Sequence, residues 1–221
     1  ARDALTEVFA LRMWLRYEKG EEAKYISHLD FLRAITRTIR RAHIPVKYSE
    51  GFNPHMKLSF ALALPLGTTS VTELMEIELN EDLTPEEILE KLNKESLMGI
   101  RFIEAGISPD KNKFKAIGFA KYKVTPDKMI TEDELSAFLA KDEIVTMKKT
   151  KSGTKPTDIR GDIASIKIEG GSLIMILSAG NDANLKPETV LSAMKENIEG
   201  FSFEDYDSVR TGILDKTMGY I

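Results

Sequence analysis

Hydrophobic and polar residues change their spacing several times along the chain, and each spacing predicts a secondary-structure element. Alternation typical of half-buried strands occurs at 11–17, 56–64, 72–80 and 100–107. Between these strands, apolar residues three or four positions apart predict a helix that begins after Ser27 and ends near Ala42, and another over 84–96. The first half of the chain therefore has the order β-α-β-β-α-β, which is typical of a ferredoxin-like domain.

The second half repeats this order with one additional strand. The predicted elements are a strand at 116–124, a helix at 131–140, the additional strand at 143–149, a hairpin around Gly170-Gly171, a helix at 186–198 and a last strand within 202–214. We therefore predict an α+β chain of two tandem ferredoxin-like (βαββαβ) units, residues 1–110 and 111–221. We expect the units to pack side by side with separate sheets, and the boundary to fall in the polar stretch 108–115.

The composition restricts the classes of function. The 221 residues include no cysteine, which excludes disulfides, thiolate metal ligands and cysteine nucleophiles. Lysine and arginine number 31 and aspartate and glutamate 35, which gives a net charge of −4. No apolar run approaches the ~20 residues of a membrane span, and we see no signal peptide. We expect a cytoplasmic protein without a membrane partner.

The first helix has two distinct faces. At 100° per residue, one side collects the apolar residues Leu29, Leu32, Ile35, Ile39 and Ala42. Another side carries Arg33, Arg37 and Arg40, with Arg41 beside them. Either acids from elsewhere in this acidic chain neutralise these arginines, or the arginines form a surface for a polyanion. Guanidinium groups make bidentate bonds to phosphate, and RNA is the commonest polyanion partner.

All three histidines lie between positions 28 and 55. His28 follows Ser27 in "SHLD", which resembles a capping box, so we expect a neutral ring in the first helical turn. His43 is at the other end of the helix, where we expect a structural role. His55 ends the turn-rich stretch "SEGFNPH", in which Asn53 and Pro54 imply a defined backbone path. We predict that His28 and His55 lie close enough to share one site.

No further motif supports catalysis or a cofactor. The chain has no HxxxH pair, no GxSxG, no Walker motif and no GxGxxG. We therefore expect neither a bound metal nor a cofactor.

A second basic segment, 148–160, carries four lysines and one arginine against one aspartate. It is either a solubilising edge or a flexible arm that contacts phosphates. Tyr25, Tyr48 and Phe52 are aromatic residues beside the first basic element, where they would be able to stack on bases.

The stretch "RYEKGEEAKYISHLDFLRAITRTIRRAHIPVKYSEGFNPHMKLSFALALPLGTTSVTE" and the later "KPTDIR" resemble the bacterial radical-SAM-linked protein family, a domain of unknown function. In that family the domain occurs alone, beside a radical SAM protein or fused to one. The resemblance implies a radical SAM protein as partner and names no reaction. The matching positions are His28, Asp30, Arg33, Arg37, Arg40, Tyr48, Ser49, Gly51, Phe52, Asn53, Pro54, His55, Lys57, Ser59, Asp158 and Arg160. Met56 departs from the pattern, where proline would be expected.

The preferred interpretation is a non-catalytic RNA-binding accessory module that works with a radical SAM or RNA-processing partner. Three alternatives stay open: a protein-interaction adaptor for a radical SAM enzyme without nucleic acid, a metal-independent ribonuclease that uses His28 or His55, and a small-molecule-binding protein. No DNA partner is expected. The candidate binding residues are His28, Asp30, Arg33, Arg37, Arg40, Tyr48, Asn53, His55, Lys57, Ser59, Lys155, Asp158 and Arg160.

Overall fold

The computed structural model shows an α+β chain, as expected, and describes residues 11–108, 113–150, 153–180 and 183–221. The chain divides into two compact units. The N-terminal unit consists of the described residues within Ala1–Ala63 and Glu73–Lys111. The C-terminal unit consists of the described residues within Leu64–Thr72 and Asn112–Ile221. Residues 109–112 of the expected boundary and 151–152 of the Lys-rich segment lie outside the described residues.

The N-terminal unit contains two helices and four strands in the predicted order. They are β1 (Leu11–Lys19), α1 (His28–Arg41), β2 (Leu58–Phe60), β3 (Thr69–Leu79, of which the residues from Glu73 onward belong here), α2 (Pro85–Glu95) and β4 (Ile100–Ile107). Strand β4 lies beside β1, β1 beside β3, and β2 pairs antiparallel with β3. Strand β2 has three residues, far fewer than the nine predicted at 56–64.

Helix α1 buries Ile35, Ile39 and Ala42 as expected, but not the whole of the predicted apolar stripe. Phe31, Ile35, Thr38 and Ile39 are buried, whereas Leu29 is 64% exposed. Leu32 is half-buried. The prediction for Leu29 is wrong because, at 100° per residue, Leu29 lies about 120° from Ile35, whereas Phe31 lies about 40° from Ile35 and continues the buried stripe. The buried residues of β1, α1, β3, α2 and β4 form one core, in which the rings of Tyr17 and Phe31 stack at 5.6 Å.

The C-terminal unit contains β5 (Ile117–Pro126), α3 (Glu132–Leu139), β6 (Val145–Thr150), β7 (Gly153–Asp158), β8 (Ile163–Glu169), β9 (Ser172–Ser178), α4 (Pro187–Asn197) and β10 (Tyr206–Asp215). Its main strands follow the order β10-β5-β9-β8, and all of these neighbours are antiparallel. Strands β6 and β7 form a separate two-stranded sheet, so the Lys-rich segment is an ordered hairpin on either side of 151–152.

Strand pairing corrects the expectation of two separate sheets. Eight strands belong to one mostly antiparallel sheet with the order β4-β1-β3-β10-β5-β9-β8, and β2 also pairs with β3. The reason is the length of β3, which has 11 residues. Its first residues pair in parallel with β10 through Val209↔Thr69 and Arg210↔Ser70, whereas Met75 to Ile77 pair with β2.

Candidate functional site

The outward side of α1 carries an arginine face, which consists of Arg33, Arg37 and Arg40. All three side chains are exposed. They lie within about 60° of one another on the helix, opposite the buried stripe around Ile35. Ser27 begins the helix, since its side chain accepts a hydrogen bond from the backbone N–H of Asp30 at 3.2 Å. This cap fixes where the first turn begins, and therefore which way the arginines project.

Only one arginine of this face has an acid partner in the described part of the chain. Nη1 of Arg33 donates to Oδ1 of Asp30 at 2.9 Å. The Ser27 hydroxyl donates to the other oxygen of Asp30 at 2.8 Å. These two hydrogen bonds lower the pKa of Asp30, and the bond from Ser27 has the larger effect. Arg37 and Arg40 have no ion pair with any described residue. The face therefore retains two uncompensated guanidinium groups.

His28 is the first residue of α1 and is exposed. Its ring meets the ring of Phe60 edge to face, with centroids 5.6 Å apart. Phe60 in turn contacts Phe31 and Tyr17. His28 thus caps the exposed edge of an aromatic cluster.

The Ser49–His55 loop, residues 49–55, is closed at its base. The backbone N–H of Ser49 donates to the carbonyl of His55 at 2.8 Å, and the N–H of His55 donates to Oγ of Ser49 at 3.1 Å. Oγ of Ser49 also lies 3.0 Å from Nδ1 of His55. Next to this closure, Tyr48 bridges to Met56, which is buried. Met56 therefore anchors the loop through its buried side chain.

The described contacts do not join the two histidines. His28 contacts Phe60, and His55 contacts Ser49. No hydrogen bond or ring contact of the described residues links these two groups, so their shared site stays a prediction. The list of candidate binding residues did not include Ser49. The available signal was that Ser49 and His55, six positions apart, flank a turn that contains glycine and proline.

Lys57 and Ser59 lie on the other face of the sheet from α1, because their neighbours Leu58 and Phe60 pack toward the core. They line a pocket of about 240 Å³ with Arg12, Leu58, Glu76, Ile77 and Glu78. The Nζ of Lys57 lies 3.5 Å from Glu78, and Arg12 pairs with both Glu76 and Glu78. This pocket is electrically balanced, unlike the arginine face.

The acids and Arg12 of this pocket were missed by the sequence interpretation. Arg12 alternates with buried residues of β1, and Glu76 and Glu78 alternate with buried residues of β3. Polar residues at every second position of two strands were the available signal, since they predict a polar sheet face.

The three remaining candidate residues lie in the C-terminal unit. Oδ1 of Asp158 accepts bonds from the backbone N–H groups of Ile144 and Arg160, each at 2.9 Å. These two hydrogen bonds lower the pKa of Asp158, and the bond from Arg160 has the larger effect. Lys155 is exposed and lies directly opposite Lys148 across the hairpin. Asp158 thus holds the base of the hairpin, and Lys155 is one of two adjacent cations on it.

Lys19 is a buried cation that the sequence pattern gave no reason to expect. Its side chain ends β1, only 4% exposed, and Nζ donates to the carbonyl of Ile26 at 3.2 Å. The amine lies 5.3 Å from the centre of the Phe31 ring. Burial lowers the pKa of Lys19, and the nearby Glu73 partly offsets this effect. Lys19 therefore fixes the segment that leads into α1.

Within the described ranges, no group of three His, Asp or Glu side chains is placed to hold a metal ion. Each helix of the described part is too short or too polar to cross a lipid bilayer.

A family model described as "Uncharacterized protein conserved in bacteria (DUF2344)" matches residues 12–187. None of the curated proteins compared with the chain matches it. Among solved structures, one chain from the "Crystal Structure of a Cbf5-Nop10-Gar1 Complex" aligns at a TM-score of 0.47 and 8% sequence identity. The alignment covers 92% of this chain and 49% of that chain, so this chain spans about half of the length of that neighbour. A likeness this weak carries no argument about function.

Proposed function

This chain belongs to the DUF2344 family of uncharacterized proteins conserved in bacteria, and we propose that it is a non-catalytic RNA-binding module. The observation that carries this proposal is the pair of exposed guanidinium groups, Arg37 and Arg40, that have no acid partner among the described residues. Unpaired arginines on the surface of a chain with net charge −4 are a local excess of positive charge. Such a local excess attracts a polyanion.

The spacing of the arginine face suits a phosphate backbone. Arg33 and Arg40 are separated by about 10 Å along the helix axis, at 1.5 Å per residue. Arginine binds phosphate bidentately, and it is less strongly hydrated than lysine, so the cost of removing its water is small. The net charge of −4 makes the chain as a whole repel nucleic acid, so that binding depends on local positive patches such as this face.

The module is proposed to lack catalytic activity of its own. His28 packs against the apolar ring of Phe60, and Nδ1 of His55 is engaged by the Ser49 hydroxyl. Neither arrangement pairs a histidine with a carboxylate, the group that commonly orients a general base. RNA cleavage by the metal-free protein that disappears in His28→Ala or His55→Ala would overturn this part of the proposal.

Each unit is proposed to be ferredoxin-like. The order β1-α1-β2-β3-α2-β4 supports this for the N-terminal unit. The order β5-α3-β8-β9-α4-β10, with the β6–β7 hairpin inserted after α3, supports it for the C-terminal unit. The proposed partner is a radical SAM protein, on the basis of the sequence resemblance. Since this chain has no cysteine, any iron–sulfur cluster would belong to that partner.

A second candidate function is a protein-interaction adaptor. Tyr25 and Leu29, beside the first turn of α1, are 72% and 64% exposed. These apolar side chains are suited to contact with a protein. A Leu29→Asp substitution that abolishes binding to a radical SAM protein, in a chain that binds no RNA, would favour the adaptor over the RNA-binding module.

The proposed function is tested by titrating single-stranded RNA with the purified chain at several salt concentrations. Each phosphate contact should contribute about −0.7 to the slope of log affinity against log salt. Arg37→Ala should weaken binding by about 1 kcal/mol and flatten the slope by less than about one unit, equally for all sequences. Arg37→Lys should recover part of the affinity, because it restores the charge but not the bidentate geometry.

Arg101→Ala is the matched control, since Arg101 is also an exposed arginine of the N-terminal unit but lies on β4. It should change RNA affinity much less than Arg37→Ala does. The proposal fails if the wild-type chain binds no RNA. It also fails if Arg37→Ala and Arg101→Ala have equal effects, because binding would then follow net charge and not the arginine face.

A further inference from the structure

We propose that the Ser49–His55 loop binds one unpaired nucleotide, with the base stacked on Phe52 and its edge contacted by Asn53 and His55. This inference rests on the proposed RNA-binding function and adds the kind of RNA that is recognised. It concerns a part of the N-terminal unit that does not belong to the arginine face.

The Phe52 side chain is held completely in solvent. It is 105% exposed and makes no ring contact with any described residue. Gly51 precedes it with φ +112°, in the region that glycine adopts without strain. Both faces of the Phe52 ring are therefore free to stack on a base.

The loop that carries Phe52 has a fixed base. Besides the bonds between Ser49 and His55, the backbone N–H of Lys47 donates to the carbonyl of Glu78 on β3 at 2.7 Å. The N–H of Glu78 donates to the carbonyl of Lys57 at 3.0 Å. Both ends of the loop are thus attached to the sheet, and little conformational entropy is lost when its tip meets a ligand.

Two polar side chains beside Phe52 are available to a ligand. Asn53 is exposed, and its amide, which has both a donor and an acceptor, bonds to no described residue. Ser49 engages Nδ1 of His55, so Nε2 is the ring nitrogen that remains for a ligand. An aromatic face next to donors and acceptors is the usual means of binding a splayed-out base.

An unpaired nucleotide fits this loop better than a duplex or a protein. In a duplex the faces of the bases are covered by their neighbours, so none is available to Phe52. A protein interface needs an apolar centre of several residues. The neighbours of Phe52 along the loop are Glu50, Gly51, Asn53 and Pro54, and one proline does not provide such a centre.

The test uses the full chain and a single-stranded RNA that carries a fluorescent purine whose emission is quenched by stacking. Wild-type protein should quench the emission. Phe52→Ala should abolish the quenching and weaken binding between about 5-fold and 150-fold, the range for loss of one stacked base. Phe52→Leu keeps an apolar side chain but no ring, and should behave like Phe52→Ala. Phe52→Trp should retain the quenching.

The two proposals fail in different ways. The salt slope should be the same for Phe52→Ala and the wild type, because Phe52 is uncharged, whereas Arg37→Ala should flatten it. If Arg37→Ala weakens binding and Phe52→Ala does not, the loop inference is overturned and the RNA-binding function stands. If the wild type binds no RNA, both are overturned. The loop inference is also overturned if Phe52→Ala weakens the binding of duplex RNA as strongly as the binding of single-stranded RNA. The same holds if Phe52→Ala loses only the capture of a protein and keeps its affinity for RNA. Thermal unfolding of the Phe52 variants should match the wild type, because this side chain is fully exposed among the described residues.

Discussion

Arg41 and Glu95 join the C-terminal ends of the two helices of the N-terminal unit. Nη2 of Arg41 donates to the backbone carbonyl of Glu95 at 2.7 Å, and Nε lies 3.3 Å from the Glu95 carboxylate. The last carbonyls of a helix have no partner within the helix, so this bond satisfies an acceptor that α2 leaves free. Arg41 is therefore a structural residue, although it adjoins Arg37 and Arg40 in a sequence of closely spaced arginines.

We predict that Arg41→Ala lowers the free energy of unfolding by about 1 kcal/mol, through the loss of a charged hydrogen bond that is partly exposed. Arg37→Ala should change it by less than about 0.5 kcal/mol, as is usual for an exposed residue, since Arg37 has no ion pair with any described residue. Urea unfolding of the two variants measures the difference. Ile35→Ala, which truncates a fully buried side chain, should cost about 2–5 kcal/mol and shows the scale of a core substitution. Equal losses for Arg37→Ala and Arg41→Ala would contradict the division between binding and structural arginines.

His43 follows the C-cap of α1, and its backbone adopts the left-handed conformation, with φ +50°. The N–H of Ile44 donates to the carbonyl of Ile39, and that of His43 to the carbonyl of Arg40, which is the Schellman pattern. Glycine is the residue best suited to this position, since it has no Cβ to clash. We therefore predict that His43→Gly raises the free energy of unfolding by about 0.5–1 kcal/mol.

The control for this prediction is His43→Ala, which removes the imidazole but keeps the Cβ. It should not stabilise the protein. If both variants are stabilised equally, the gain comes from removing the ring and not from backbone strain. Denaturant midpoints at one pH, compared at equal slopes, are sufficient to decide.

Burial of Lys19 makes stability depend on pH in alkaline solution. Its pKa in the folded chain is below the ordinary value of 10.5, so between these two values the unfolded chain binds more protons. The Lys19 contribution therefore raises stability as pH increases through this window, by at most about 1.4 kcal/mol per pH unit. Below the folded pKa the contribution of this residue no longer changes with pH.

Lys19→Met keeps the length of the side chain and removes the titrating group. The difference in unfolding free energy between wild type and Lys19→Met should shift in favour of the wild type as pH rises from neutral toward 10.5. Taking the difference removes the contribution of groups that are common to both proteins, such as Tyr206. The pKa of Tyr206 is raised mainly by burial and also by the nearby Glu188 and Asp205. A difference that is constant over this range would show that the Lys19 pKa is ordinary.

Asp158 holds the base of the β6–β7 hairpin through two backbone hydrogen bonds. We predict that Asp158→Ala lowers the melting temperature and speeds hydrogen exchange at the amides of Ile144 and Arg160. Asp158→Asn should retain most of the protection, since the amide oxygen still accepts both bonds. Because its folded pKa is lowered, the contribution of Asp158 is present above the ordinary aspartate pKa and is lost as pH falls through the folded value. The asparagine variant should lack this acid-dependent loss, and unchanged exchange in Asp158→Ala would contradict the structural role.

The sequence by itself determined the order of the elements in the N-terminal unit and the N-cap of α1 at Ser27, whereas in the C-terminal unit it predicted one additional strand where the structure has two, β6 and β7. These features depend on local chemistry. A side-chain oxygen placed before a helix satisfies a free backbone N–H three residues later, whatever the rest of the chain does. The exposure of Arg33, Arg37 and Arg40 was also predicted, because their spacing places them on one side of any α-helix.

The tertiary structure alone decided which features share a surface. The Phe31 ring stacks on Tyr17, and this contact between α1 and β1 is specified by neither segment alone. Strand β3 pairs with β2 and β10 at different residues. The sequence of a strand does not specify which distant strand it pairs with. Lys57 and Ser59 likewise lie beside Arg12, Glu76 and Glu78 because the pairing of the strands fixes which sheet face they share. Buried Lys19 has no local signal at all, since its burial depends on Ile26, Phe31 and Glu73 meeting around it.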